Sequence, residues 1–281
     1  MTTRRSFLGA VAGGLGVVVA GRRLGHAGDA KKPPLGLQLW SLRSMLEKDL
    51  PGTLETIRAW GIEEVESAGF YGRSAAEFTA ELEKAGLRCR SMHIGWDALG
   101  QDLSGVIKDA ETVGATTIIQ PSLPHAGDGA ATREEMLRAA GAFASWSRQI
   151  RAAGKRFAYH MRSQEFGPAP EGTLFDVFAE EVGPDVGFEL DVFWVTTGGV
   201  DPLTLMKKYP GRVWYTHLKD KKGNGTGPDA QVVLGTGRID IAAVVKAGAA
   251  AGVEIHYLED ESRDPVGQIP KSIAYYEMLK A

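Results

Sequence analysis

Cysteine is almost missing from this sequence: Cys89 stands alone among 281 residues, which excludes an internal disulfide and any metal site built from thiolates. Its neighbours Leu87-Arg88-Cys89-Arg90-Ser91-Met92-His93-Ile94 alternate in polarity, so the thiol reads as a buried apolar group near the start of a strand. No charge of one sign dominates. With 35 acidic and 32 basic residues the formal net charge is −3, and that balance does not suit a nucleic acid or another polyanion. The apolar stretch 8–20 is too short for a stable transmembrane anchor, which needs about 20 residues.

A twin-arginine pattern, Thr3-Arg4-Arg5-Ser6-Phe7-Leu8, opens that stretch, and small residues at Gly25, Ala27, Gly28 and Ala30 offer cleavage points. We therefore expect residues 1–30 to be a cleaved export signal with a short linker, placing the protein in the periplasm or otherwise outside the cytoplasm, with no stable membrane insertion afterwards. Residues 31–281 remain for the fold. That length suits one large α/β barrel or two ordinary domains, and no composition break marks a second domain.

Periodicity selects between them. Strand-like runs begin at Leu35, Ile62, Leu87, Thr116, Arg156, Val186, Val213 and Val253, at intervals of 27, 25, 29, 40, 30, 27 and 40 residues. Each interval fits a strand, a helix and two loops. Helical patterns fill the gaps at 54–60, 75–85, 103–113, 133–153, 174–182, 202–208, 241–251 and 266–279. Gly61, Gly86, Gly114, Gly154 and Gly252 stand just past helix ends, and Asp201-Pro202 and Asp264-Pro265 pair a capping residue with a first-turn proline. Eight such units predict a single closed (β/α)8 TIM barrel after the export signal. A doubly wound open sheet would carry a glycine-rich turn after its first strand, where this chain has Trp40-Ser41-Leu42-Arg43.

In a closed barrel the chemistry collects where strands end, because the loops there form the open face. The run Val213-Trp214-Tyr215 leads into His217, Lys219 and Asp220. Two others stop at Asp191 and at Glu259-Asp260, and Glu165 follows the run 156–160. Together they offer one imidazole and several carboxylates, an oxygen-rich set suited to one divalent ion, Mn2+, Zn2+ or Mg2+. Of the six histidines only His26 lies away from strand ends; His125 follows the fourth run, and His256 sits inside its strand, where packing explains it. His93 and His160 are candidate substrate contacts or proton donors, and Lys219 is a candidate for neutralising a developing oxyanion. Trp40, Trp96 and Trp194 are candidates for an apolar wall on which a sugar face stacks. Glu66 also falls at a strand end, without an assigned role.

These motifs occur in an order that resembles the sugar phosphate isomerase/epimerase family of xylose-isomerase-like TIM barrels: Glu189-Leu190-Asp191-Val192-Phe193-Trp194, then His217-Leu218-Lys219-Asp220, then Leu234-Gly235-Thr236-Gly237-Arg238-Ile239-Asp240, then Glu259. The resemblance covers residues 31–281. It implies one divalent metal held by Glu165, Asp191, His217 and Glu259. The family's fifth strand often reads Tyr-His-Asn-His-x-x-Glu-Phe. Here His160 and Glu165 are kept, but Met161 and Arg162 stand at two polar positions, a change that bears on substrate and makes Arg162 a candidate substrate contact.

A metal with open positions would bind both oxygens of a 2-hydroxy ketone and stabilise the enediolate formed when the adjacent carbon loses a proton. Glu165 and Glu259 are the candidate bases, on different strands. Return of the proton to the same carbon gives epimerisation, return to its neighbour gives isomerisation, and a leaving group one carbon further gives elimination. The expected substrate is an unphosphorylated keto-sugar, inosose or keto-glycoside, because sugar phosphates are cytoplasmic. A homo-oligomer is compatible with the sequence. Two other readings are a noncatalytic exported carbohydrate-binding barrel and a phosphodiesterase of the endonuclease-IV kind, whose zinc cluster needs more histidines than this face offers.

Overall fold

The eight runs become parallel strands: β1 Leu35–Gln38, β2 Glu64–Ser67, β3 Arg88–His93, β4 Thr117–Gln120, β5 Arg156–Met161, β6 Val186–Asp191, β7 Val213–Leu218 and β8 Ile255–Leu258. They close into a barrel in the order β1-β8-β7-β6-β5-β4-β3-β2, which is the expected α/β TIM barrel. The structure, a computed structural model, describes residues 31–124, 131–170 and 172–280. The twin-arginine segment with Arg4 and Arg5, the cleavage candidates Gly25 to Ala30, His26 and His125 lie outside the described residues. Among the described residues, no helix is long and apolar enough to cross a membrane.

Side chains alternate across each strand, so residues two apart share a face. Glu189 and Asp191 on β6, Tyr215 and His217 on β7, and Tyr257 with Glu259 just past β8 therefore point the same way, into the barrel. Parallel register aligns them: Asp191 pairs with His217, and His217 with Tyr257. Gln38 pairs with Glu66, and Glu66 with Ser91. Below this polar layer Ile119, Ala158, Tyr215, Ile255 and Tyr257 form a small apolar cluster of their own. Tyr257 fits beside β1 because Gly36 has no side chain; a Cβ there would come within 2.7 Å of the tyrosine ring. The larger core lies between sheet and helices, where Phe143, Phe157, Phe175, Phe178 and Phe188 are fully buried.

Local chemistry sets the helix ends. Ser74 with Glu77 and Thr132 with Glu135 form reciprocal caps for helices Ala75–Ala85 and Arg133–Ala152. Gly86, Gly114 and Gly252 close their helices in the left-handed conformation, at φ of 71°, 78° and 83°. Among the described residues three α-helices were not legible in the sequence, Arg43–Leu46, Trp96–Gln101 and Val192–Thr197. The last continues the apolar run of β6 and reads as strand. It turns helical because Asp191 Oδ1 accepts from the backbone N–H groups of Phe193 at 2.9 Å and Trp194 at 3.1 Å.

Candidate active site

A cavity of about 380 Å³ opens where the strands end, bordered by Trp40, His93, His160, Arg162, Trp194, Lys219, Glu259 and Glu261. Its upper walls are aromatic and cationic. The Arg162 guanidinium lies 4.9 Å from the Trp194 ring, and Arg43 stacks at 4.5 Å on Trp40, which is 43% exposed. Trp40 Nε1 donates to Glu261 Oε1 at 3.0 Å, joining the loop after β1 to the loop after β8.

Beneath these walls four side chains converge: His160, Asp191, His217 and Glu259 each offer a donor atom within 4.8 Å of the others, and all are buried. His217 Nδ1 is 2.8 Å from Glu259 Oε2 and 3.9 Å from Asp191 Oδ2. His160 Nε2 faces Asp191 Oδ2 at 3.4 Å, yet neither atom makes a well-directed hydrogen bond among the described residues. The Lys219 ammonium caps the group, 3.0 Å from Asp191, 2.6 Å from Glu259 and 2.8 Å from Glu261. Burial works against charging Lys219, but the three carboxylates outweigh it and hold the ammonium above its ordinary range. Burial likewise opposes the Asp191 carboxylate, and Lys219 and His160 outweigh it, bringing the group down to about 2. Glu259 is held low by Lys219 and His217 against the same penalty. At His160 burial prevails and lowers the imidazole.

A second group lies on the other edge of His217. Glu66, His93, Glu189 and His217 bring donor atoms within 4.8 Å of one another. His217 Nε2 is 2.7 Å from Glu66 Oε1 and 3.2 Å from Glu189 Oε2. His93 Nε2 is 3.0 Å and 2.7 Å from the same two oxygens. Burial lowers His93, but Glu66 and Glu189 overcome it and raise the imidazole to about 9. Gln38 Nε2 donates to Glu66 Oε1 at 2.7 Å, and Ser91 Oγ donates to Glu66 Oε2.

The structure thus brings together Asp191, His217 and Glu259, but not Glu165. Glu165 turns away from the barrel, accepting from the Tyr159 hydroxyl and from the Arg162 backbone N–H at 3.2 Å. Tyr159 points out of β5 into the helix layer beside Phe143 and Phe178, and burial raises the Glu165 carboxyl. The fifth strand supplies His160 instead, whose residue number has the parity of the inward face. Trp96 also departs from expectation: it leaves the cavity wall and packs edge-on against Trp146 at 4.7 Å, near Phe143. Trp40, Trp194, Arg162, His93 and Lys219 do border the cavity. Glu189 and the role of Glu66 were missed; the signal for Glu189 was its spacing, two residues before Asp191 on the same face.

No family model matches the sequence, and no curated protein sequence matches it. Solved structures do. A sugar phosphate isomerase/epimerase from Parabacteroides distasonis ATCC 8503 is 24% identical with a TM-score of 0.72, over 87% of this chain and 93% of that one. What this chain shares with it is the fold, a closed α/β TIM barrel, found also in a Xylose Isomerase domain protein from Alicyclobacillus acidocaldarius. Within these barrels the IolI protein, solved with a bound zinc atom, is 15% identical with a TM-score of 0.65, over 86% of this chain and 94% of that one. The probable 3-DHS dehydratase AsbF of Bacillus anthracis is 11% identical with a TM-score of 0.71, over 87% of this chain and 98% of that one. At these identities the likeness extends to the barrel and no further.

Proposed function

We propose that this xylose isomerase-like barrel is a divalent-metal-dependent enzyme that removes a proton beside the carbonyl of an unphosphorylated keto-sugar, inosose or keto-glycoside. The observation that carries this is the convergence of His160, Asp191, His217 and Glu259, buried under an aromatic-walled cavity. The donors fit a metal. Two imidazole nitrogens and two carboxylate oxygens are an N/O set for a Zn2+-like ion, and His160 Nε2 is buried without a directed hydrogen bond among the described residues, while Asp191 Oδ2 is held there by the Lys219 ammonium at 3.0 Å. The IolI protein, with its zinc, is a precedent for a metal within this fold. Bound there, a divalent ion would supply Lewis-acid stabilisation of negative charge on the substrate oxygens.

The chain's own residues account for the remaining steps. The cavity volume suits a small sugar, and Trp40 and Trp194 give it apolar surfaces on which a ring can lie. Glu259 on the loop after β8 accepts the proton from carbon, and His93 on β3 returns one from another wall. The Lys219 ammonium, buried and held charged, faces the oxygen that becomes negative. The lining disfavours a phosphate: Lys219 is engaged by three carboxylates, and Glu259 and Glu261 repel a dianion. An export signal at Arg4-Arg5 agrees with that, since we also propose a location outside the cytoplasm. Which carbon receives the returned proton, or whether a neighbouring group is expelled, separates epimerase, isomerase and lyase.

The test is an NMR time course in D2O with keto-sugars and keto-glycosides, before and after chelation. We expect deuterium to enter at the carbon next to the carbonyl, and to stop entering when metal is removed. Sugar binding without exchange at any carbon would instead identify a noncatalytic binding barrel.

A further inference from the structure

The arrangement on the far edge of His217 includes His93, the proton donor of the reaction above, which with an ion on Nε2 could give a proton only from Nδ1, and two carboxylates, Glu66 and Glu189, that the reaction does not use. Four atoms, Glu66 Oε1, His93 Nε2, Glu189 Oε2 and His217 Nε2, form a closed ring in which nitrogen and oxygen alternate, with edges of 3.0, 2.7, 3.2 and 2.7 Å. We propose that this ring is a second divalent-metal site, taking Zn2+ or Co2+, with His217 bridging two ions as an imidazolate when both sites are filled.

Three observations carry the assignment. First, a tetrahedral ion at about 2.0–2.2 Å from N and O ligands sets its ligands roughly 3.3–3.6 Å apart. The ring must open to reach that, by a few tenths of an ångström at its 3.0 and 3.2 Å edges and by about 0.6–0.9 Å at the two 2.7 Å edges. Second, the Glu189 side chain is fully buried, and while Oε2 sits in the ring, Oε1 has no hydrogen-bond partner among the described residues. A buried carboxylate oxygen left so is costly, and a carboxylate that binds an ion through both oxygens satisfies it. Third, the ligands are held in place. Gln38 and Ser91 fix the Glu66 carboxylate, and the rings of His93 and His217 lie nearly parallel, 5.4 Å apart and inclined by 18°, presenting Nε2 to the same two oxygens. Entry to the site is open from the cavity, because His93 is part of its lining.

The two sites share only His217. Nδ1 turns to Asp191 and Glu259, Nε2 to Glu66 and Glu189, so either ion alone binds the neutral ring through one nitrogen, and both together require His217 to release its remaining N–H proton to solvent and bridge them as an imidazolate. This proposal does not rest on the catalytic reading, and one experiment distinguishes them. Crystals of the full chain soaked in Zn2+ and measured at the zinc absorption edge should show an anomalous peak enclosed by Glu66, His93, Glu189 and His217. In solution, Glu189→Gln should bind one ion fewer per chain than the parent at Zn2+ saturation, with an unchanged circular dichroism spectrum. A peak only among His160, Asp191, His217 and Glu259 overturns the second site and leaves the first. A peak only in the ring supports the second site and removes the metal from the proposed reaction. No peak in either place overturns both, and the ring is then a hydrogen-bonded quartet.

Discussion

Glu259 and Glu165 are both buried carboxylates near the ends of strands, but they face different surroundings, and substitutions should separate them. Glu259 touches His217 and Lys219 at the cavity floor. Glu259→Gln is expected to lower turnover by about 10²- to 10⁴-fold, the usual contribution of a positioned proton acceptor, as read by deuterium exchange and product formation. Glu165→Gln should leave bound metal and turnover close to the parent's, because its partners are the Tyr159 hydroxyl and the Arg162 backbone. Its effect belongs to stability instead. Burial already favours the uncharged carboxyl, so the amide should shift unfolding free energy by no more than about 1 kcal/mol in a urea titration. Loss of one metal per chain in Glu165→Gln would restore it as a ligand.

At the level of single elements, β6 shows how tightly the barrel is fitted. It carries Glu189 and Asp191 inward, and it is covered at its start by the indole of Trp214 from β7. That cover depends on Gly187, where a Cβ would stand 2.1 Å from Trp214 Cε3. Gly187→Ala therefore forces the indole aside and disturbs its stacking under Arg156, whose guanidinium lies 4.5 Å from the ring. We expect a loss of about 1–3 kcal/mol, measured as a lower urea midpoint with unchanged slope. Where β6 stops is set by Asp191, which starts the helix Val192–Thr197 while turning its other oxygen to His160 and Lys219. One side chain thus ends the strand and joins the site.

Over the whole molecule, the buried imidazoles give stability opposite pH limits. His256 points out of β8 toward Tyr276, bonded to Thr216, and burial pushes it from the ordinary 6.5 down to about 3. The unfolded chain takes up that proton near pH 6.5, the folded chain only near pH 3. Its contribution is therefore complete above 6.5 and is lost as pH falls toward 3, at up to about 1.4 kcal/mol per pH unit. His256→Gln should flatten this acid limb in denaturant titrations repeated from pH 7 to pH 4; an unchanged slope would show that the carboxylates alone set it. His93, raised to about 9, acts in the opposite sense: its contribution is complete below 6.5 and fades as pH rises through 9.

Much of this was legible in the chain. Eight strand starts at regular intervals, glycines past helix ends and Asp-Pro starts are local signals, because periodicity and capping act within a few residues. They determine the barrel, and the barrel places Asp191, His217 and Glu259 at one mouth. Tertiary structure alone decided which way each remaining side chain faces. Glu165 lies beyond the strand in a short 3-10 turn, Gln164–Phe166, where alternation no longer applies, so it turned to Tyr159 and left the fifth position to His160. Glu189 looked like part of an apolar run, yet closure of the barrel brings it from β6 to meet Glu66 of β2 and His93 of β3, strands that are distant in sequence. Contacts across a closed barrel depend on register and closure, which sequence-local patterns do not specify.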